Sequence, residues 1–266
     1  MAKKALCIGI NNYPGLHNDL NGCINDMNDW SALLSEEFGF NVSQLADAKA
    51  TSDAILTSLA NLIDGADEGD ALTVTISCHG TYILDGADAD EADNYDEAIC
   101  AYDRNILDDE IRNILTSLSP KVNLTVISDS CHSESNTRTR MTPMREGLAI
   151  AKPQYPMLRR YMPMENHKKS DTMRVPRRNR SFSGYGAMNH LLLSGCTATQ
   201  YSYDAWINER YNGAMSANAI ALIKEDPEVT YQELFVKLRL VLPSRYFPQD
   251  PQLEGPEALR NRKLFS

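Results

Sequence analysis

Apolar positions fall into short runs that alternate with helically spaced segments along most of the 266-residue chain. The run KALCIGI (4–10) reads as a buried strand that ends at Asn11-Asn12. Leu20, Ile24, Met27, Trp30, Leu33 and Leu34 then recur at helical spacing between Asp19 and Phe38, and Gly39 stops that helix. Residues 41–45 form a second short strand. Thr51 caps a helix through Leu62, with Ile55, Leu56, Leu59 and Leu62 on one face. The β-branched run ALTVTIS (71–77) is a strand leading straight into Cys78-His79-Gly80. An acidic stretch and a helix at about 108–118 follow. VNLTVIS (122–128) is the next strand and runs into Asp129-Ser130-Cys131-His132. Segment 134–186 shows little periodicity and reads as a long loop. HLLLSGC (190–196) is a further strand, and helices near 214–224 and 230–242 precede a Pro-rich tail.

Strands alternating with helices imply an α/β fold with a mostly parallel sheet and helices on both faces. Ligands of such sheets bind beyond the carboxyl ends of the strands. Both Cys/His clusters lie at such ends. Side chains two apart share a face of a strand, so Ser77 goes with His79, and Asp129 with Cys131. If the two strands are neighbours, His79 and Cys131 meet across one crevice, with Ser77 and Asp129 beneath. An imidazole beside a thiol raises its thiolate fraction and later protonates a leaving amine. The N–H groups of Gly80 and Cys131 are then placed to hold a developing oxyanion. A cysteine ending a core strand is more often a small buried hydrophobe, and that reading suffices for Cys7, Cys100 and Cys196. A zinc site at Cys78, His79, Cys131 and His132 is disfavoured because each adjacent pair points to opposite faces.

Charge changes the picture in one place. The chain carries a net −10, yet 134–186 holds 12 Lys+Arg against 4 Asp+Glu. That segment is a local +8 within a body of −18. It sits inside a strongly acidic body, which argues against nucleic acid as a partner. No apolar run reaches the ~20 residues needed to span a bilayer, and the first residues do not form a secretory leader. No membrane partner is expected, and six scattered cysteines (7, 23, 78, 100, 131, 196) read as reduced thiols in a cytoplasm.

The chain resembles the metacaspases, relatives of caspases. The likeness is carried by GINNYPGLHNDLNGCINDM, ISCHG, DNYDEAICAYD with ILDDEI, VISDSCHS, LLLSGCTATQYSYDA, YQELFVKLR and PQDPQLEG, in that order. It implies a caspase–haemoglobinase fold, a His79–Cys131 dyad and cleavage after Arg or Lys. Segments 1–133 and 187–266 resemble the large and small caspase-like subunits, with 134–186 as the linker between them. The pocket for the basic side chain maps onto Cys23, Asp26, Ser77 and Asp129; Asp26 read from the sequence alone is equally a solvated helix residue. No cofactor is needed for the chemistry. Calcium is implied as an activator, with Asp96, Asp108 and Asp109 matching three ligand positions; the fourth falls near Arg138 and is missing. A solvated acidic loop accounts for the same run of carboxylates. Cys78 replaces a frequent Gly before the His, and Glu134 a frequent Gly after DSCHS.

A peptidase with an acidic pocket and a basic loop carries substrates for itself. Arg138, Arg140, Arg145, Arg160, Lys169 and Arg178 are candidate cleavage sites. The expectation is a monomeric zymogen, opened by itself or by an upstream protease, acting on proteins with Arg or Lys before the cut. Against it stand an uncut electrostatic strap and a catalytically silent scaffold that binds basic peptides.

Overall fold

The computed structural model describes residues 1–15, 17–84, 95–130, 155, 157–163, 188–197 and 200–266. The chain begins with β1 (Lys3–Gly9), α1 (Cys23–Ala32), β2 (Asn41–Ala46), α2 (Ser52–Asp64) and β3 (Ala71–Ser77). A small antiparallel sheet follows: β4 (Gly80–Leu84), β5 (Tyr95–Cys100) and β6 (Asn105–Leu107). After it come α3 (Asp108–Leu115), β7 (Asn123–Asp129), the two-residue β8 (Leu158–Arg159) and β9 (Leu191–Ser194). The hairpin β10 (Tyr203–Ile207) and β11 (Arg210–Gly213) leads to α4 (Ala214–Glu225), α5 (Tyr231–Val241), β12 (Gln252–Glu254) and α6 (Glu257–Arg260).

The main sheet has the order β12-β9-β7-β3-β1-β2, and every pair except β12 with β9 is parallel. All seven residues of β3 are buried, as a central strand covered on both faces must be. One core packs α1, α4 and α5 against the sheet through Met27, Trp30, Ile220, Ile223, Leu234 and Leu238. The other packs α2 and α3 through Ile55, Leu59 and Ile63, with Ile111 and Leu115 at its margin. Caps lie where the polar residues predict them: Thr51 Oγ1 accepts from Ala54 N, and Thr230 with Glu233 closes a capping box on α5.

The helix expected from Asp19 begins only at Cys23. Residues before it are held as loop: Asp19 accepts from Tyr13 N, and Asn11 Oδ1 accepts from Cys23 N at 2.8 Å and Ile24 N at 3.3 Å. Asn11 lies in the loop just after β1 and so caps α1 from a distant part of the chain. Segment 134–186, expected as a loop, holds one strand among its described residues: β8, which pairs with β10. No helix among the described residues is long and apolar enough to cross a membrane.

Candidate active site

Strand order reverses at β1, since β2 lies on one side of it and β3 on the other. The crevice beyond the carboxyl ends of β1 and β3 is therefore the expected ligand site. His79 follows β3 by two residues and is 5% exposed. Its backbone N donates to the Tyr13 hydroxyl at 3.1 Å, and the two rings sit 5.1 Å apart. His79 Nε2 lies 2.8 Å from the carbonyl oxygen of Asn18. A carbonyl can only accept, so Nε2 carries the hydrogen there and Nδ1 is the basic nitrogen of the neutral ring.

β3 and β7 run in register from Ala71 beside Asn123 to Ser77 beside Asp129. Ser77 and Asp129 are thus neighbours, as the strand argument required, and both are buried. Cys131 lies outside the described residues, whose chain ends here at Ser130.

The acidic pocket is occupied. Arg160, one of the six candidate cleavage sites, is 0% exposed, and it is the one among them within the described residues. Its Nη2 donates to Asp26 Oδ2 at 2.6 Å and Asp204 Oδ1 at 3.1 Å. Its Nη1 donates to the Asp129 carbonyl at 2.9 Å and lies 3.5 Å from Asp129 Oδ2. Three buried carboxylates around one guanidinium leave the pocket with excess negative charge, so it requires a cation to be filled. Burial pushes Asp26 up from 3.8 to about 6, against the pull of Arg160 and the help of Asn212. Cys23, also called as a pocket residue, is fully buried; burial raises its thiol well above the usual value while Arg160 pulls it down.

The backbone of this segment is gripped from both sides. Arg160 N donates to Ser202 O at 3.0 Å, beside the β8–β10 pairs Arg159 with Tyr203 and Leu158 with Asp204. Gly80 N donates to Arg160 O at 2.9 Å, and Met162 N donates to Gly80 O at 3.0 Å. An added strand with one side chain in a deep pocket is how peptidases and other peptide binders hold extended chains. The oxyanion donor expected at Gly80 accordingly meets a peptide carbonyl, that of Arg160.

Asp204 and Asn212–Gly213 also build this pocket, and the sequence reading passed over them. Asp204 Oδ2 accepts from Asn21 N at 2.7 Å and Gly22 N at 3.1 Å, tying the loop before α1 to β10. Asp26 Oδ1 accepts from Asn212 Nδ2 at 3.0 Å and Gly213 N at 2.9 Å. The signal for Asp204 was present: a lone acid inside the strand-length run YSYDAWI. Gly213 has no room for a side chain. A Cβ there would lie 2.2 Å from Asp129 Oδ2, 2.5 Å from Arg160 Nη1 and 2.7 Å from Asp26 Oδ2. Gly213→Ala should therefore intrude on the guanidinium's place, and if the pocket selects Arg substrates, cleavage of Arg peptides should fall at least about a hundredfold, by ~3 kcal/mol of overpacking and lost contacts. Steady-state kinetics with circular dichroism as the folding control checks it.

Burial also raises the Cys7 and Cys100 thiols and pushes Cys78 up to about 12. Like Cys23, these thiols are buried and held toward the neutral form, which disfavours them as nucleophiles. Asp108 and Asp109 lie in the first turn of α3, and both pair with Arg112. The side chain of Asp96 lies outside the described residues. A calcium ion at this pair would have to displace the protein's own guanidinium, that of Arg112.

A mostly parallel sheet with this cleft defines a caspase-like α/β domain. Solved structures agree in fold: a protein from Geobacter sulfurreducens superposes with a TM-score of 0.74 at 24% identity, covering 99% of this chain and 98% of that one. Caspase-1 from Spodoptera frugiperda superposes with a TM-score of 0.55 at 14% identity, over 96% and 86%. The model of the metacaspase, peptidase C14 domain matches residues 3–139. Metacaspase-1 of Botryotinia fuckeliana is 32% identical over 99% of this chain and 70% of its own length. Metacaspase-1A of Neurospora crassa is also 32% identical, over 99% and 64%. Metacaspase-4 of Arabidopsis thaliana is 39% identical over 50% of this chain and 34% of its own length. The chain belongs to the metacaspase family. It spans less than two thirds of the Arabidopsis and Neurospora relatives.

Proposed function

We propose that the chain is a cysteine endopeptidase that cuts after Arg, and less well after Lys, and that its own Arg160–Tyr161 bond is laid in the cleft as a substrate. The docking of Arg160 carries this reading. Its side chain fills the acidic pocket, its N–H meets Ser202, and its carbonyl faces Gly80 N.

In this reading Cys131 supplies the nucleophile. His79 Nδ1 takes the thiol proton, and the sulfur attacks the carbonyl carbon after Arg. Gly80 N–H and Cys131 N–H hold the oxyanion. The tetrahedral centre collapses as His79 returns the proton to the leaving amine, and a thioester remains. Water, deprotonated by the same imidazole, hydrolyses it to the free carboxylate and thiol. Asn18 holds the ring in the tautomer this sequence of transfers needs. Support for Arg over Lys comes from the two nitrogens of the guanidinium meeting three carboxylates and a carbonyl, where an ammonium offers one point charge.

The chain as made would be a zymogen, because a strap in the cleft excludes other substrates until it is cut or displaced. Proteins with accessible Arg or Lys are the proposed substrates, an upstream protease is a second route to activation, and we carry the chain as a cytoplasmic monomer. Calcium enters as an activator that competes with Arg112 for Asp108 and Asp109. The alternative scaffold would bind basic peptides in the same cleft without turning them over. Cys131→Ala separates the two. Self-cleavage followed by mass spectrometry, and turnover of an Arg-aminomethylcoumarin peptide, should each fall by more than about 10³, the scale seen when a nucleophile is removed. Wild-type protein that binds the peptide but never cuts it, or Cys131→Ala that still cuts, would sink the enzyme reading.

A further inference from the structure

Arg160 is flanked by residues whose side chains are also seated. Along 158–163 burial alternates: Arg159 is exposed, Arg160 buried, Tyr161 half-buried, Met162 buried and Pro163 exposed. An extended chain places such residues on opposite faces in turn. The Arg159 guanidinium carbon sits 4.4 Å from the ring centroid of Tyr201. Tyr161 stacks on Tyr82, with centroids 6.1 Å apart at 19°, and meets Tyr201 edge-on at 5.7 Å. Met162 is 2% exposed and belongs to the apolar core that also holds Cys78, Ile99 and Cys100.

From this we infer that the cleft reads four consecutive residues rather than one: basic before the pocket Arg, then Arg, then aromatic, then a long apolar residue, with the cut between the Arg and the aromatic. Tyr201 sets the first and third preferences and Tyr82 the third. The pocket holding Met162 sets the fourth. The inference rests on the proposal that Arg160 lies as a substrate does.

A guanidinium over a tyrosine face is attracted by the ring's negative quadrupole, and Arg also stacks there by its plane. Two tyrosines bracketing the side chain after the cut favour a flat, apolar ring. The Met162 site is closed to water, so a charged residue there would be buried without a partner. Met162 N is bound to Gly80 O, which fixes the depth to which that side chain enters.

The test uses the full chain and its Arg160→Ala variant, assayed on the peptide Leu-Arg-Arg-Tyr-Met with neutral flanks. Four more peptides each carry one alanine, at the first Arg, the second Arg, Tyr or Met. The expected losses in kcat/KM are about three- to tenfold for the first Arg and for Tyr. The Met change should cost about ten- to a hundredfold. Alanine for the second Arg should abolish the cut before Tyr, read by mass spectrometry so that any slower cut after the remaining first Arg is counted apart. Tyr201→Ala should erase the difference at the first Arg and weaken that at Tyr, while Tyr82→Ala erases that at Tyr alone. If the second Arg is needed but the other three changes stay within twofold, the inference falls and the Arg reading stands. If the peptide lacking the second Arg is cut like its parent, or no peptide is cut, both fall.

Discussion

Arg160→Ala should stop self-cleavage between residues 160 and 161 and raise turnover of added Arg peptides at least about tenfold in freshly made protein. The guanidinium meets Asp26, Asp129 and Asp204, all of them buried. Losing a buried charged partner costs ~2–5 kcal/mol of docking energy, about 30- to several thousandfold in occupancy. The strap competes intramolecularly, at an effective concentration in the mM range, so an added peptide at μM levels meets a filled cleft until the anchor is removed. Lysine at 160 should preserve docking in part and be cut slowly, which separates charge from mere bulk. Cleavage of Arg160→Ala at the same bond and rate, read by mass spectrometry, would show that the pocket does not choose the cut.

Asp26→Asn should lower kcat/KM for Arg peptides by about 10²–10³ and remove part of the acid limb of the pH profile. Asp26 touches the guanidinium at 2.6 Å and is itself aligned by Gly213 N and Asn212. Burial holds its carboxyl up at about 6, so below that pH the pocket gains a proton and loses its grip on Arg. Activity should therefore rise with pH through about 6, and higher in a pocket emptied of Arg160, whose charge is what lowers the value. The stability sign runs the other way. A carboxyl whose folded value is raised from 3.8 to about 6 contributes stability below the unfolded value, and loses it as pH rises through the folded one. Wild-type Tm should carry a downward component between pH 4 and 6 that Asp26→Asn lacks. An unchanged activity limb and unchanged Tm profile in the variant would remove Asp26 from the pocket's titration.

The strands and helices of the two cores were legible because each buries a repeating apolar face. ALTVTIS spans β3 residue for residue, and the 214–224 and 230–242 helices fall within a residue of α4 and α5. The small strands were not. β8 is only two residues long and β10 buries Asp204 next to Ala205, so neither shows an apolar period, and the β10–β11 turn uses Asn208 and Glu209 at positive φ in place of the Asn-Gly that marks such hairpins. The start of α1 was misplaced because its cap, Asn11, lies far back in the chain.

By itself the order of residues established the α/β class, the strand ends that carry the Cys/His clusters, and the sharing of a face by Ser77 with His79 and by Asp129 with Cys131. Those depend on local periodicity and on a two-residue alternation that any strand obeys. That β3 and β7 are neighbours, with Ser77 beside Asp129, came from the tertiary structure. That Arg160, among six basic candidates, is the residue seated between Asp26, Asp129 and Asp204 was decided by tertiary structure. These four residues are drawn from α1, the end of β7, the chain after β8 and β10, and a pocket made of segments that distant exists only once the sheet has brought them together.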